Sequence, residues 1–329
     1  HVINYGCMIM ALYGEDTYRL QQKLTEIVSR FQEKFDASGM NSDTFVFGEA
    51  KEGDIMSAVG SPPFLADRRM VLVEGLASAT TKKADAALWA ERLGGRGDET
   101  LIILVDKELA AEKGKKNKLF VALDELDEQI HTYVFGFLSE REVAGWMKQE
   151  VAQIGVSWEP DALRELVARA GVDTWRLSTE IKKVSSAAEM ITVDHVKQLV
   201  APAFDDTLFR FLDAVRAGNE RAATQLLTNE LNRGTAPGQL IAMLGRETQL
   251  LAELRSYAAV HGPSSQKDAA RELGIHPFVV KKTMSRAVDL SEEQLARMVS
   301  AVLEADRRLK GTNMKDRAIV EQLVVDLVT

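Results

Sequence analysis

The chain has 329 residues but a single cysteine, Cys7, only seven prolines, and aromatic residues at 6% of positions. One thiol excludes an internal disulfide framework and any multi-cysteine zinc or iron–sulfur site, and it fits a reducing compartment, so a cytoplasmic protein is expected. Scarce proline leaves room for long helices. No apolar run approaches the roughly 18 residues that a membrane-crossing helix needs. His1–Met10 also lacks a basic segment followed by a long apolar core, so neither secretion nor membrane insertion is expected. With 46% apolar and 27% charged residues the composition is that of a folded globular chain, which excludes a disordered or fibrous one.

Excess positive charge is lacking as well. Lysine and arginine number 41 against 49 aspartates and glutamates, for a net charge of −8 and a pI near 5.4. Asp205–Thr329 holds 17 of each sign, which leaves 24 basic and 32 acidic residues in His1–Phe204. A chain with this balance does not grip nucleic acid through its own overall field. Any work at DNA would share the contact with basic partner subunits.

The first part alternates strand-like and helix-like segments. Met8–Tyr13, Thr44–Phe47, Met70–Val73, Leu101–Val105 and Ile130–Phe135 are short apolar or β-branched runs. Between them Tyr18–Phe35, Ile55–Val59, Ala84–Leu93 and Leu119–Leu126 carry apolar residues at helical spacing. Alternating β and α with buried strands predicts a parallel α/β sheet over residues 1–138. After Phe137 no further strand is expected. Ser139, with Glu142 three residues on, has the capping-box spacing and opens a small helical unit over 139–204. Pro202 and the pair Asp205-Asp206 mark the next boundary, and 205–329 is predicted to be a larger helical bundle. No fixed-period repeat or low-complexity segment is present.

An α/β sheet followed by helices raises the question of a nucleotide-binding ATPase. A phosphate loop needs G-x-x-x-x-G-K-[ST], because backbone N–H groups cradle phosphate while lysine and hydroxyl serve phosphate and magnesium. The loop after the first strand reads Gly14-Glu15-Asp16-Thr17-Tyr18-Arg19-Leu20, with no second glycine, no lysine, and two carboxylates where phosphate would lie. It predicts a turn into a helix whose first turn holds acids against the helix dipole. Glu74 and Asp106 end the third and fourth strands as single acids, expected to be solvated rather than paired for magnesium. Gly94, Gly95 and Gly97 precede a strand, so they read as a flexible loop and not a dinucleotide fingerprint. His1, His131, His195, His261 and His276 are too scattered to suggest a metal pair, and no G-x-S-x-G elbow occurs. No catalytic residue, metal or cofactor is expected, which favours a partner-binding subunit.

Two segments stand out. In Ser61-Pro62-Pro63-Phe64-Leu65-Ala66-Asp67-Arg68-Arg69 two prolines stiffen the approach to Phe64 and Leu65. The pair either stands at the tip of a short turn or helix start and anchors a partner, or Phe64 packs under the sheet edge. In Gln266–Arg286, Ala270, Gly274 and Val280 have the relative spacing of a helix-turn-helix DNA reader. The same spacing serves any two tightly packed helices, and Pro277-Phe278 is apolar where a reader would place base-contacting groups. A DNA-binding regulator acting through residues 266–286 is the alternative function.

In this order the segments resemble the delta-subunit family of the bacterial DNA polymerase III clamp loader over nearly the whole chain. The likeness rests on Leu12-Tyr13-Gly14-Glu15-Asp16 in place of the phosphate loop, Pro63-Phe64-Leu65-Ala66-Asp67-Arg68-Arg69 before an apolar strand, and Thr174-Trp175-Arg176-Leu177-Ser178-Thr179-Glu180-Ile181-Lys182-Lys183. It continues through Ala270-Arg271-Glu272-Leu273-Gly274-Ile275-His276-Pro277-Phe278-Val279-Val280-Lys281-Lys282 and Glu304-Ala305-Asp306-Arg307-Arg308-Leu309-Lys310. The resemblance implies a degenerate AAA+-like α/β domain over 1–138, a helical lid over 139–204 and a C-terminal collar over 205–329 that assembles with other loader subunits. It further implies a subunit without intrinsic ATPase, working in DNA replication as part of a holoenzyme with DNA polymerase activity. Such a subunit binds the ring-shaped sliding clamp (the beta subunit) with an apolar pair and favours its opened interface. Primer-template DNA would be met in the assembled complex. The family's Leu-Phe type pair falls on Phe64-Leu65, with Pro63 shaping the turn.

Overall fold

The computed structural model describes residues 9–126, 130–201, 204–311 and 314–328, so Cys7, Met8 and Pro202 lie outside the described residues. The chain forms two compact units, His1–Leu138 and Ser139–Thr329.

In the first unit β1 (Ile9–Tyr13), α1 (Thr17–Phe35), β2 (Ser42–Val46), α2 (Glu52–Gly60), β3 (Arg69–Glu74), α3 (Leu76–Ala79), α4 (Lys83–Gly94), β4 (Thr100–Asp106), α5 (Lys118–Glu125) and β5 (Ile130–Val134) follow in order. The strands make one parallel sheet ordered β2-β3-β4-β1-β5. Successive side chains point to opposite faces. Ile9, Ala11, Tyr13, Val71, Val73, Ile102 and Leu104 therefore pack with Ile55, Trp89, Leu93, Leu119 and Leu123 of α2, α4 and α5. Met10, Leu12, Met70, Leu72, Leu101, Ile103 and Val105 pack on the other face, with Leu20, Leu24, Ile27 and Phe31 of α1. Because both faces are covered, β1 and β4 are buried at every position, which is why they read as unbroken apolar runs.

The second unit contains α6 (Glu140–Ile154), β6 (Ser157–Trp158), α7 (Pro160–Ala170), α8 (Thr174–Ser185), β7 (Met190–Ile191) and α9 (Val193–Leu199). These are followed by α10 (Phe204–Arg216), α11 (Glu220–Asn232), α12 (Pro237–His261), α13 (Gln266–Leu273), α14 (Pro277–Asp289), α15 (Glu292–Gly311) and α16 (Asp316–Val328). The predicted capping box forms: Ser139 and Glu142 exchange side chain and backbone at the start of α6. From α10 onward the helices share one core, with Leu240, Leu244, Leu251 and Leu254 of α12 facing Met284 of α14, Val302 of α15 and Leu323 of α16. No helix among the described residues is long and apolar enough to cross a membrane.

Three expectations need correction. Strands do not stop at Phe137, because Ser157–Trp158 pairs in parallel with Met190–Ile191; two residues are too few to leave a periodic signal. Gly94 ends α4 and Gly95 caps it, so they terminate a helix rather than form a loop. Asp205 and Asp206, read as marking a boundary, lie at the opening of α10. Asp106 is not solvated: it is 2% exposed and accepts from the N–H groups of Ser78 at 2.6 Å, Glu108 at 3.1 Å and Leu109 at 2.9 Å.

Candidate protein-docking site

At the corner where a phosphate loop would lie, the chain closes on itself. Asp16 is the N-cap of α1, its carboxylate accepting from Arg19 N–H at 3.1 Å and from Arg19 Nε at 2.7 Å. The first turn proper holds no acid, so the acids sit one step earlier than expected. Asp16 N–H donates to the Phe135 carbonyl at 2.9 Å and Thr17 N–H to the Glu15 carbonyl at 3.0 Å. The amides at this helix start are thus bonded within the chain, whereas an anion site needs them directed outward. Glu15 Oε2 accepts from Ala111 N–H at 3.2 Å, and Arg19 reaches the Gly136 carbonyl at 2.8 Å. Gly14 has φ +132°, and a Cβ there would lie 2.3 Å from the Phe135 carbonyl oxygen. The Tyr13 ring packs on Phe120, with centroids 5.5 Å apart, and on Gly114, where a Cβ would come within 2.0 Å of the ring. Burial pushes the Tyr13 hydroxyl up from its ordinary value.

Asp106, the strand-end acid that could have served a metal, spends both oxygens on backbone amides, and Glu74 pairs with Lys107 at 2.6 Å. The described histidines have structural partners. His195 caps α9 through Thr192, His276 caps α14 through Phe278, His131 meets the Tyr133 ring, and His261 stacks on Tyr257. In the helix-turn-helix candidate Gly274 takes the left-handed conformation that ends α13, while Ala270, Val280, Met284 and Ala287 join the core of the bundle. The spacing is used there for close packing of two helices.

Pro63, Phe64 and Leu65 occupy the loop between α2 and β3. Ser61 caps the end of α2, Pro62 and Pro63 prevent its continuation, and the backbone then turns sharply. Phe64 is 57% exposed and so is not packed under the sheet edge. Leu65, at 93%, is the most exposed of the large apolar side chains described. It is also the one non-glycine residue among those described with positive φ, +53°. A bulky residue there is an outlier costing about 1–2 kcal/mol.

The base of this tip was not foreseen. Asn41, only 1% exposed, accepts from Phe64 N–H at 2.6 Å and donates through Nδ2 to the Phe64 carbonyl at 3.0 Å. Asp36, just past α1, accepts from Asn41 N–H at 3.0 Å, Asn41 Nδ2 at 3.3 Å, Ser42 Oγ at 2.7 Å and Ser38 Oγ at 3.3 Å. The run Asp36–Ser42 could have been flagged only as a polar turn, because its decisive partner lies 23 residues further along. Two apolar side chains in water, on a backbone tied from below, can fill pockets on another protein but offer no group for bond-making chemistry.

A model of the DNA polymerase III delta subunit matches residues 11–131, and a model of that subunit's C-terminal domain matches residues 205–327. The DNA polymerase III subunit delta of Bacillus subtilis (strain 168) is 23% identical over 331 residues, covering 96% of this chain and 91% of that protein. The solved DNA clamp loader delta protein of Bacillus subtilis has the same fold, with a TM-score of 0.74 at 21% identity over 98% of this chain and 95% of that one. The expected fold class, a parallel α/β unit followed by helices, is the one found. With two models of one subunit matching in order at either end, the chain belongs to the DNA polymerase III delta subunit family.

Proposed function

We propose that this clamp-loader subunit binds the sliding clamp through Phe64 and Leu65, with Pro63 setting the turn, and favours the opened ring. The observation that carries this is the tip itself: the most exposed large apolar side chain described stands beside a half-exposed phenylalanine on an anchored loop. Water-facing apolar groups on a rigid backbone are the anatomy of a binding hot spot. The subunit acts by differential affinity. Binding the open clamp better than the closed one shifts that equilibrium by the affinity difference and by no more.

No ATPase activity is proposed for this chain, and nucleotide-driven control of the tip falls to neighbouring subunits. The inward-bonded amides of the Gly14–Arg19 corner support this. Residues 139–204 serve as a lid and 205–329 as a collar toward the other loader subunits. In favour of that division, the match to the C-terminal domain begins at residue 205. Primer-template DNA is met only in the assembled complex, in keeping with the net charge of −8.

The test is clamp binding by the purified chain without nucleotide. The double variant Phe64→Ala, Leu65→Ala should keep its unfolding midpoint and lose on the order of 2 to 4 kcal/mol of affinity. Unchanged affinity in the folded variant overturns the assignment.

A further inference from the structure

Asn41 ties both ends of the tip. Its main-chain carbonyl accepts from Met70 N–H at 2.7 Å, at the start of β3, while its side chain holds Phe64 N–H and the Phe64 carbonyl at the other end. The amide has little freedom to do otherwise. Nδ2 carries two hydrogens, one directed at Asp36 and one at Phe64, and Oδ1 takes the Phe64 N–H. The peptide groups on both sides of Phe64 are therefore fixed in orientation. Leu65 comes next, in the left-handed region. Its own side chain is almost wholly in solvent, so Leu65 packing does not hold that conformation. A bulky residue persists there only when its surroundings over-determine it. Here those surroundings are the pinched Phe64 and the anchored start of β3.

We infer that Asn41 is a positioning residue for clamp binding: it fixes the peptides around Phe64, keeps Leu65 left-handed, and presents both side chains already in their docked arrangement. The ordering of the loop is then met during folding rather than at the interface, which is how preorganisation raises affinity. This rests on the proposed docking of Phe64 and Leu65. Asn41 itself, buried beneath the loop, touches no partner.

Four proteins test it: the wild type, Asn41→Ala, Leu65→Ala and the double variant, each measured for clamp affinity and unfolding midpoint. With both side chains present, Asn41→Ala should weaken clamp binding about tenfold; in the Leu65→Ala background the loss should shrink to about threefold, because only Phe64 remains to be positioned. The effects on the unfolding midpoint should simply add. A merely structural Asn41 would cost the same factor of affinity in both backgrounds, and that result overturns the inference. Should Asn41→Ala not fold, Asn41→Ser carries the same test, since its hydroxyl can still serve Asp36 but is too short to span both Phe64 groups.

A second readout needs no clamp. In a Cys7→Ser background, a spin label on Leu65→Cys should be ordered with Asn41 present and mobile in Asn41→Ala or Asn41→Ser. Equal mobility overturns the positioning role whatever the clamp does. Loss of the docking reading would show separately, as clamp affinity indifferent to Phe64→Ala, Leu65→Ala.

Discussion

Two loops on the same sheet make opposite use of a well-tied backbone. The Gly14–Arg19 corner after β1 turns inward: the amides of Asp16, Thr17 and Arg19, both carboxylates and the arginine end on groups of its own chain. The Pro62–Arg68 loop before β3 is anchored as firmly by Asn41, yet leaves Phe64 and Leu65 in water. A loop with its polar and apolar groups both satisfied is a structural joint. One with its backbone satisfied and its apolar groups in water has the anatomy of the docking site proposed above. Exposure alone does not separate the two cases, because single exposed apolar residues are common on any surface.

That contrast can be broken by substitution. Gly14→Ala meets both an unfavourable φ and a backbone oxygen 2.3 Å away; it should destabilise the fold by about 3 kcal/mol in chemical unfolding. A neutral result would mean the corner is a yielding loop and not a joint. A smaller effect of opposite sign is expected at the tip. Leu65→Gly relieves the left-handed conformation and should raise stability by about 0.5–1 kcal/mol, while lowering clamp affinity at least about tenfold. If stability and affinity moved in the same direction, the strain at Leu65 would have no connection with docking.

The smallest effect concerns acid. Burial alone would raise the Asp36 carboxyl, but hydrogen bonds from Ser42, Asn41 and Ser38 outweigh it and hold the group below the ordinary aspartate value. A depressed folded pKa adds stability that is complete above the unfolded value, near 3.9 by about the model-peptide figure, and is lost as pH falls through the folded value. Ser42→Ala removes one of those bonds. Unfolding free energy followed from about pH 5 to about pH 2 should therefore fall less steeply in Ser42→Ala than in the wild type. Identical slopes would show that the base of the tip is not held by this carboxylate.

Much of the architecture was legible. β1, β3 and β4 announced themselves because a strand covered on both faces must be apolar throughout, and α6 because Ser139 and Glu142 make a local cap. Phe64 and Leu65 were legible as a pair, since two prolines stiffen the approach to them and place them at a turn or a helix start. Its buried alternative was excluded only by the exposure of Phe64 in the folded chain. Asp106 was misjudged because a strand-end acid looks the same whether its oxygens meet water or the amides of Ser78, Glu108 and Leu109.

The sequence by itself determined the parallel α/β unit, the helical remainder and the loss of a phosphate loop, because these depend on residue types at short, regular separations. Only the tertiary structure decided that Asn41 and Asp36 form the base of the tip and that Leu65 stands left-handed at its summit. The physical reason is range. Periodicity and caps act over a turn of helix or a pleat of strand, whereas a hydrogen bond across 23 residues exists only after β2 and β3 have paired and brought Asn41 beneath Phe64.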